Sequence, residues 1–105
     1  MNAWERIERY IPMGEENAIT QAELAFELHI TPTQAKQLVS EARKQAETEG
    51  SIIASSAHGY YYPANVGELR HYRDMMRAQA LSRLHTIKAA DAALKRYEQE
   101  ENKQG

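Results

Sequence analysis

Apolar residues recur at helical spacing in three stretches before residue 50, and each stretch is bounded by residues that favour helix ends. In the first stretch, Asn2–Tyr10, Trp4 and Ile7 lie on one helical face. Asn2 is a suitable N-cap, and Pro12 is incompatible with continuation of the helix. The pattern predicts a short amphipathic helix here.

The second stretch begins at a stronger helix signal. Thr20 and Glu23 have the spacing of a capping box, in which a hydroxyl and a carboxylate each accept a hydrogen bond from an otherwise free backbone N–H. Ile19 and Leu24 occupy the flanking positions of a hydrophobic staple. These features predict a two-turn helix over Gln21–Leu28.

A third helix is predicted over Pro32–Thr48, after a tight link of two residues. Thr31 is its N-cap, Pro32 lies in the first turn, where a missing N–H is tolerated, and Gly50 ends it. The apolar stripe of this helix consists of Ala35, Leu38, Val39, Ala42 and Ala46. The remaining face is polar.

Two short β-prone segments follow, Ser51–Ser55 and Gly59–Tyr62, and the three residues between them predict a hairpin turn. Since side chains alternate along a strand, Tyr60 and Tyr62 share one face and Tyr61 lies on the other. We expect one face to pack on the helical core. Stacking of the tyrosines on nucleobases is the less favoured alternative.

From residue 65 to about residue 99 the chain consists of helix-forming residues without proline, which predicts a helix of about 50 Å. The tail, Gln99–Gly105, is expected to fray. The first half of the apolar stripe is expected to pack on the preceding core through Val66, Leu69, Tyr72 and Met76. Further along, Leu84, Ile87 and Leu94 form an imperfect seam of two heptads, so we expect dimerisation through this helix. A helix folded back on its own domain is the alternative.

The order helix, helix, tight turn, helix and hairpin is that of a winged helix-turn-helix. The sequence therefore predicts a mainly α fold with a small β-hairpin. Residues 1–63 would form the winged helix-turn-helix domain, and residues 64–105 the long C-terminal helix with its polar tail.

In such a domain the third helix presents its polar face to the major groove of DNA, while the hairpin contacts nearby backbone. Helices of this kind use Gln and Arg for base edges, and Thr, Ser and Lys for phosphates. The candidates outside the apolar stripe are Thr33, Gln34, Lys36, Gln37, Ser40, Arg43 and Lys44. Ser56 and His58 at the hairpin tip are candidates for phosphate contact. The alternative is the ordinary solvated face of an amphipathic helix.

Three segments occur in a distinctive order and spacing: Glu16–Thr20, Arg43–Gly50 and His58–Pro63. With them, roughly residues 7–85 resemble a family of small winged helix-turn-helix proteins encoded by bacteriophages and prophages of low-GC Gram-positive bacteria. The resemblance implies DNA binding in phage replication or regulation. Family members carry a more basic recognition helix, whereas this chain has Gln34, Gln37 and Ser40.

Composition narrows the function classes further. With 105 residues the chain has room for one domain, and the absence of cysteine excludes disulfides, thiolate zinc sites and thiol nucleophiles. The net charge of -2 excludes a packaging protein coated in positive charge. This charge is unevenly distributed, because residues 1–63 carry -4 and residues 64–105 carry +2. The mean hydropathy of -0.73 fits an extended, solvated helix.

The sequence contains no Gly-rich phosphate loop, nucleophile elbow or close carboxylate pair, and its four histidines share no metal-ligand spacing. We therefore expect neither an enzyme nor a bound cofactor. No apolar run approaches the about 20 residues of a membrane span. The favoured hypothesis is a cytoplasmic protein of the bacterial host cell that binds double-stranded DNA as a homodimer. The alternative is an adaptor that binds a replication or host protein through a winged-helix scaffold, without contacting DNA.

Overall fold

The structure is a computed structural model that describes residues 1–104. Four α-helices lie within them: α1 (Ala3–Ile7), α2 (Gln21–Leu28), α3 (Pro32–Thr48) and α4 (Val66–Gln104). Two strands, β1 (Ala54–Ser56) and β2 (Gly59–Tyr61), form an antiparallel hairpin. The expected mainly α fold with a small hairpin and a long C-terminal helix is confirmed. The chain divides into two units, residues 1–72 and the residues from Arg73 onward.

Side-chain caps fix the starts of the first three helices. Asn2 caps α1, and Thr20 and Glu23 form the expected capping box of α2, with both hydrogen bonds at 3.1 Å. A second capping box joins Thr31 and Gln34 at the start of α3. Because each cap satisfies backbone donors that the first helical turn leaves free, the bounds of α2 and α3 coincide with the sequence prediction.

The turn between α2 and α3 is tight, as expected. His29 ends α2 in the left-handed conformation, with φ of 57°, and the chain reverses over two residues. Gln21 Nε2 donates a hydrogen bond of 2.8 Å to the carbonyl of Pro32, which joins the start of α2 to the start of α3. This contact and the turn together hold α3 against α2.

The core of residues 1–72 is formed by the apolar faces of the first three helices and by the hairpin. Trp4, Ile7 and Leu24 are buried, and so is the whole predicted stripe of α3. The ring of Trp4 meets the ring of Tyr62 edge to face, with centroids 6.0 Å apart and an interplanar angle of 85°. The helical periodicity therefore identified the buried faces of α1, α2 and α3 correctly.

Both faces of the hairpin are covered, whereas the sequence predicts that one of them packs on the core. Tyr60 and Tyr62 pack partly buried against the core cluster, and Tyr61 on the opposite face is only 1% exposed. Tyr61 lies beside the 3-10 turn Glu15–Asn17, and its hydroxyl donates to the Glu15 carboxylate at 3.4 Å. The segment that precedes α2 covers this second face.

The first strand is shorter than predicted and begins later. β1 pairs with β2 through Ala54 and Tyr61 at one end and Ser56 and Gly59 at the other. The turn therefore consists of Ala57 and His58 alone, and Ser56, which the sequence predicts to lie in the turn, belongs to β1. The predicted strand residues before Ala54 do not join this ladder, and the carbonyl of Ile53 instead accepts a side-chain hydrogen bond from α3.

Two single-residue bridges attach the hairpin to the segment before α2. Ile19 and Tyr60 exchange both backbone hydrogen bonds, at 2.9 and 2.8 Å. Tyr62 donates to the carbonyl of Pro12 at 2.7 Å and accepts from Gly14 at 2.8 Å. The otherwise free edge of β2 is therefore paired, which limits unwanted strand addition.

The long helix departs from the sequence expectation at both ends. The prediction of a frayed tail is wrong for residues 99–104, because α4 continues through Gln104; Gly105 lies outside the described residues. Glu, Lys and Gln dominate this segment and favour helix. At the other end Val66 and Leu69 are exposed, so of the predicted packing residues in the first unit only Tyr72 is partly buried. None of the helices described is long and apolar enough to cross a membrane.

The three hairpin tyrosines predict an alkaline loss of stability. Burial raises the pKa of each, and raises that of Tyr62, whose hydroxyl donates to the Glu8 carbonyl, to about 12. The folded state thus holds these protons more tightly than the unfolded chain, where the pKa of tyrosine is about 10. We expect the free energy of unfolding to fall as the pH rises from about 10 towards 12, and more gently in Tyr62→Phe.

Urea unfolding at a series of pH values, followed by Trp4 fluorescence, measures this dependence. Tyr10→Phe removes a hydroxyl from an exposed tyrosine and serves as the matched variant. An equally steep decline in Tyr62→Phe and in the parent protein would contradict the assignment of the effect to Tyr62.

Candidate functional site

A groove of about 460 Å³ lies between α3 and the hairpin and is bounded on a third side by the start of α2. We call it the α3–hairpin groove. Its polar lining residues are Lys36, Ser40 and Arg43 of α3, Ser55, Ser56 and Tyr60 of the hairpin, and Thr20 and Gln21. No carboxylate is among the lining residues, all of which belong to the described part of the chain. Two cations beside several hydroxyls are suited to binding an anion.

Arg43 joins the two walls of this groove. Its Nε donates to the carbonyl of Ile53 and its Nη2 donates to Ser55 Oγ, both at 3.0 Å. The guanidinium carbon also lies 5.8 Å from the centroid of the Tyr60 ring, within the range of a cation–π contact. Arg43, half-buried, therefore orients the hairpin relative to α3 as well as contributing a positive charge.

Lys36 and Ser40 are the exposed α3 residues that the structure brings into the groove. They lie one helical turn apart on the side of α3 that faces the hairpin. Thr33 and Lys44 are also exposed on α3 but are not among the lining residues. The four nevertheless share one side of the helix, because their positions fall within about 80° at 100° per residue.

Gln34 and Gln37 lie apart from that group. They line a separate shallow depression together with Glu41 and Arg6. The Gln34 side chain already accepts the N-cap N–H bond of α3 at 2.9 Å. The candidates that the sequence assigned to one polar face are thus divided between two surfaces, since that face spans well over a third of the helix circumference.

The two hairpin-tip candidates also differ in position. Ser56 is partly buried at the end of β1, lines the groove, and accepts the backbone N–H of His58 at 3.1 Å. His58 is exposed in the turn and is not a lining residue. Ser56 therefore helps to stabilise the turn in which His58 lies.

Sequence reasoning missed Thr20, Gln21 and Ser55 as groove residues. The local pattern around Thr20 indicates a helix cap, and nothing in it indicates that Thr20 borders the hairpin. The bridge between Ile19 and Tyr60 brings it there. Such a pairing between distant single residues leaves no periodic signal in the sequence.

A second, larger groove of about 870 Å³ lies elsewhere on the first unit and was not predicted. Its apolar lining comprises Met1, Trp4, Met13, Ile52, Tyr62, Pro63 and Leu69, and Glu5, Glu8 and Arg9 also line it. We call it the apolar groove. Met13 and Leu69 are exposed, so this surface offers hydrophobic contact area.

The predicted dimerisation residues lie in the second unit. Leu84, Ile87 and Leu94 are 53%, 54% and 55% exposed on α4. Within residues 1–104 no group of three or more His, Asp or Glu side chains is arranged to hold a metal ion. The candidate binding surfaces are thus the two grooves of the first unit and the exposed apolar stripe of α4.

Comparison of the chain with protein-family models, with curated proteins and with solved structures gave no match.

Proposed function

We propose that the protein is a winged helix-turn-helix DNA-binding protein of the phage and prophage type, acting in phage DNA replication or transcription regulation. α3 enters the major groove of double-stranded DNA, and one sugar–phosphate strand follows the α3–hairpin groove. The observation that carries this proposal is the groove itself, which combines Lys36 and Arg43 with hydroxyls and is free of carboxylates.

The connectivity around α3 supports the same proposal. A capped α2, a two-residue turn and α3 are followed by a hairpin held beside α3 by Arg43. The extended residue Ile19, just before α2, pairs with the hairpin at Tyr60. An extended segment in this position that pairs with the wing is typical of winged helix-turn-helix domains.

The charges set the strength and character of binding. Lys36, Lys44 and Thr33 are suited to phosphates, while Gln37 is suited to base edges. Exposed carboxylates on α2, including Glu23, whose pKa is lowered by its hydrogen bonds to Thr20, restrict the positive surface to Lys36, Arg43 and Lys44 of α3. We therefore expect modest, salt-sensitive affinity.

Dimerisation would reinforce this affinity. The exposed apolar residues Leu84, Ile87 and Leu94 supply a surface for pairing with a second copy. Two recognition helices in one dimer would address two half-sites on the same duplex.

The apolar groove favours a second candidate function, that of an adaptor for a replication or host protein. An apolar groove on a small domain is a common form of protein interaction site. The adaptor hypothesis predicts partner binding that is insensitive to substitution in the α3–hairpin groove and occurs without any affinity for duplex DNA.

Lys36→Gln tests the DNA proposal. We expect it to weaken binding to duplex DNA by about fivefold and to reduce the magnitude of the salt slope, log Kd against log salt concentration, by about 1, since one phosphate contact is lost. Fluorescence anisotropy with labelled duplexes of about 30 base pairs and random sequence, from about 50 mM to 200 mM salt, measures both quantities.

Lys103→Gln is the matched control, because it removes the same charge from an exposed position near the end of α4. It should leave the affinity nearly unchanged. Absence of duplex binding by the parent protein at the lowest salt concentration would refute the proposed function and favour the adaptor.

A further inference from the structure

The exposed stripe of α4 carries charges as well as apolar residues. Leu84, Ile87 and Leu94 occupy the inward positions of two heptads, and Leu81 and Tyr97 widen the stripe, each at least 60% exposed. The proposed function assigns the covering of this stripe to a second copy of the chain. The inference below rests on that homodimer and concerns the orientation of its helices.

We propose that two copies of α4 pair antiparallel, with Leu84 of each chain packed against Ile87 of the partner subunit. The argument comes from the charged residues between positions 73 and 98 that share the heptad positions of the apolar seam: Arg73, Arg77, Asp91 and Glu98.

Parallel pairing is opposed by these four residues. In a parallel two-stranded coil each inward position meets the same position of the other chain. Arg73 would then face a second Arg73, and Asp91 a second Asp91, with two further like-charge contacts at the other positions. Like charges held in direct opposition destabilise such an interface.

Antiparallel pairing removes these like-charge contacts and gives Arg73 and Glu98 oppositely charged partners. When Leu84 opposes Ile87 of the partner subunit, Arg73 opposes Glu98 of the partner subunit and Asp91 opposes Ala80 of the partner subunit. Two-fold symmetry repeats each contact. The remaining inward arginine, Arg77, opposes Leu94 of the partner subunit, where its methylene stem can cover the apolar side chain.

The flanking positions select this register among the antiparallel ones. They pair Asp74 with Lys95 of the partner subunit and Met76 with Tyr97 of the partner subunit. Sliding the helices by one heptad in either direction would bring Lys88 or Arg83 against its own copy. The register that buries Leu84 and Ile87 together is therefore free of like-charge contacts.

The antiparallel contacts require the ion pair between Arg73 and Asp74 of the same chain to break. Arg73 Nη2 lies 3.0 Å from Asp74 Oδ1, and these side chains are 57% and 56% exposed. An exposed ion pair between neighbours contributes little, so both groups are free to exchange it for contacts across the dimer.

The orientation of the helices determines how far apart the two copies of Arg73 lie. Arg73 and Glu98 are 25 residues apart in the sequence, so antiparallel pairing puts the two Arg73 residues at opposite ends, about 38 Å apart. Parallel pairing would bring them within about 10 Å.

Disulfide trapping in the full chain tests the orientation without background, because the protein has no cysteine. Ala80→Cys and Asp91→Cys, one of them carrying a mass tag, are mixed and oxidised in a glutathione buffer. We expect the mixed disulfide to dominate. Disulfides that join two copies of the same variant would overturn the proposal, as would a protein that sediments as a monomer.

Charge exchange tests the Arg73–Glu98 contact. Arg73→Glu and Glu98→Arg should each weaken dimerisation by about tenfold, and the double variant should restore it to within about twofold. Arg96→Glu makes the same change on the outer face of the helix and should have little effect. Sedimentation equilibrium measures the dimer Kd, and failure of the double variant to recover would refute the antiparallel contact.

Duplex binding by the same samples separates this inference from the proposed function. An antiparallel dimer without affinity for DNA supports the inference and refutes the function. A monomer or a parallel dimer that binds duplex DNA refutes the inference and leaves the function standing.

Discussion

Gly59→Ala is expected to destabilise the first unit by about 4 kcal/mol, a large part of the total stability of a small domain. Gly59 begins β2 with φ of 124°, a conformation that residues with a Cβ rarely adopt. An added Cβ would also overlap the carbonyl oxygen of Ile19. That carbonyl is held by the hydrogen bond from Tyr60, so relief of the overlap would break the bridge between the hairpin and the segment before α2.

Gly50→Ala is the matched control for this effect. Gly50 has φ of 80°, and an added Cβ would meet nothing within 4 Å. Its cost should therefore be backbone strain alone, about 1–2 kcal/mol. Urea unfolding followed by fluorescence of Trp4, the single tryptophan, reports on the first unit. Equal losses in the two variants would contradict the role of the close approach at Gly59.

Trp4→Ala is expected to have an effect of similar size, a loss of about 3–5 kcal/mol. Trp4 is only 3% exposed and makes three kinds of contact. Its ring packs on Tyr62, its backbone N–H donates to Gln45 Oε1 at 2.9 Å, and its indole N–H donates to the Glu49 carboxylate at 2.7 Å. Removal of the ring leaves a cavity between α1 and α3 and deletes the indole hydrogen bond.

Trp4→Phe separates the hydrogen bond from the packing. It keeps most of the ring volume and should cost about 1–2 kcal/mol, since Glu49 is exposed and can bind water instead. Because both variants lack tryptophan, their unfolding is followed by far-UV circular dichroism. The helix α4 adds its own signal to this measurement, and that signal is treated separately from the signal of the first unit. A loss in Trp4→Phe as large as in Trp4→Ala would show that the indole hydrogen bond dominates over packing.

Most of the helical part of the fold could be predicted from local sequence. Thr20 with Glu23, and Thr31 with Pro32, fixed where α2 and α3 begin, since caps act within one turn. The failures have equally local causes. The residues from Gln99 to Gln104 are polar, which suggests fraying, but most of them are strong helix formers, and polarity does not oppose helix formation.

The candidate site was predictable only as a list of exposed polar residues. Periodicity found the polar face of α3, but it could not tell that Lys36 faces the hairpin while Gln34 caps its own helix. Arg43 illustrates the same limit. Its charge marked it as a candidate, whereas its bonds to Ile53 and Ser55 depend on the position of the hairpin.

By itself the sequence determined the bounds of α2 and α3, the buried faces of the first three helices and the existence of a hairpin, because caps and apolar periodicity act between residues a few positions apart. It also supplied the charge pattern along α4 on which the proposed antiparallel pairing depends. Only the tertiary structure decided the strand register, the burial of Tyr61 and the composition of the α3–hairpin groove. These depend on pairings such as Ile19 with Tyr60, which join positions far apart in the chain and form only when the whole unit packs.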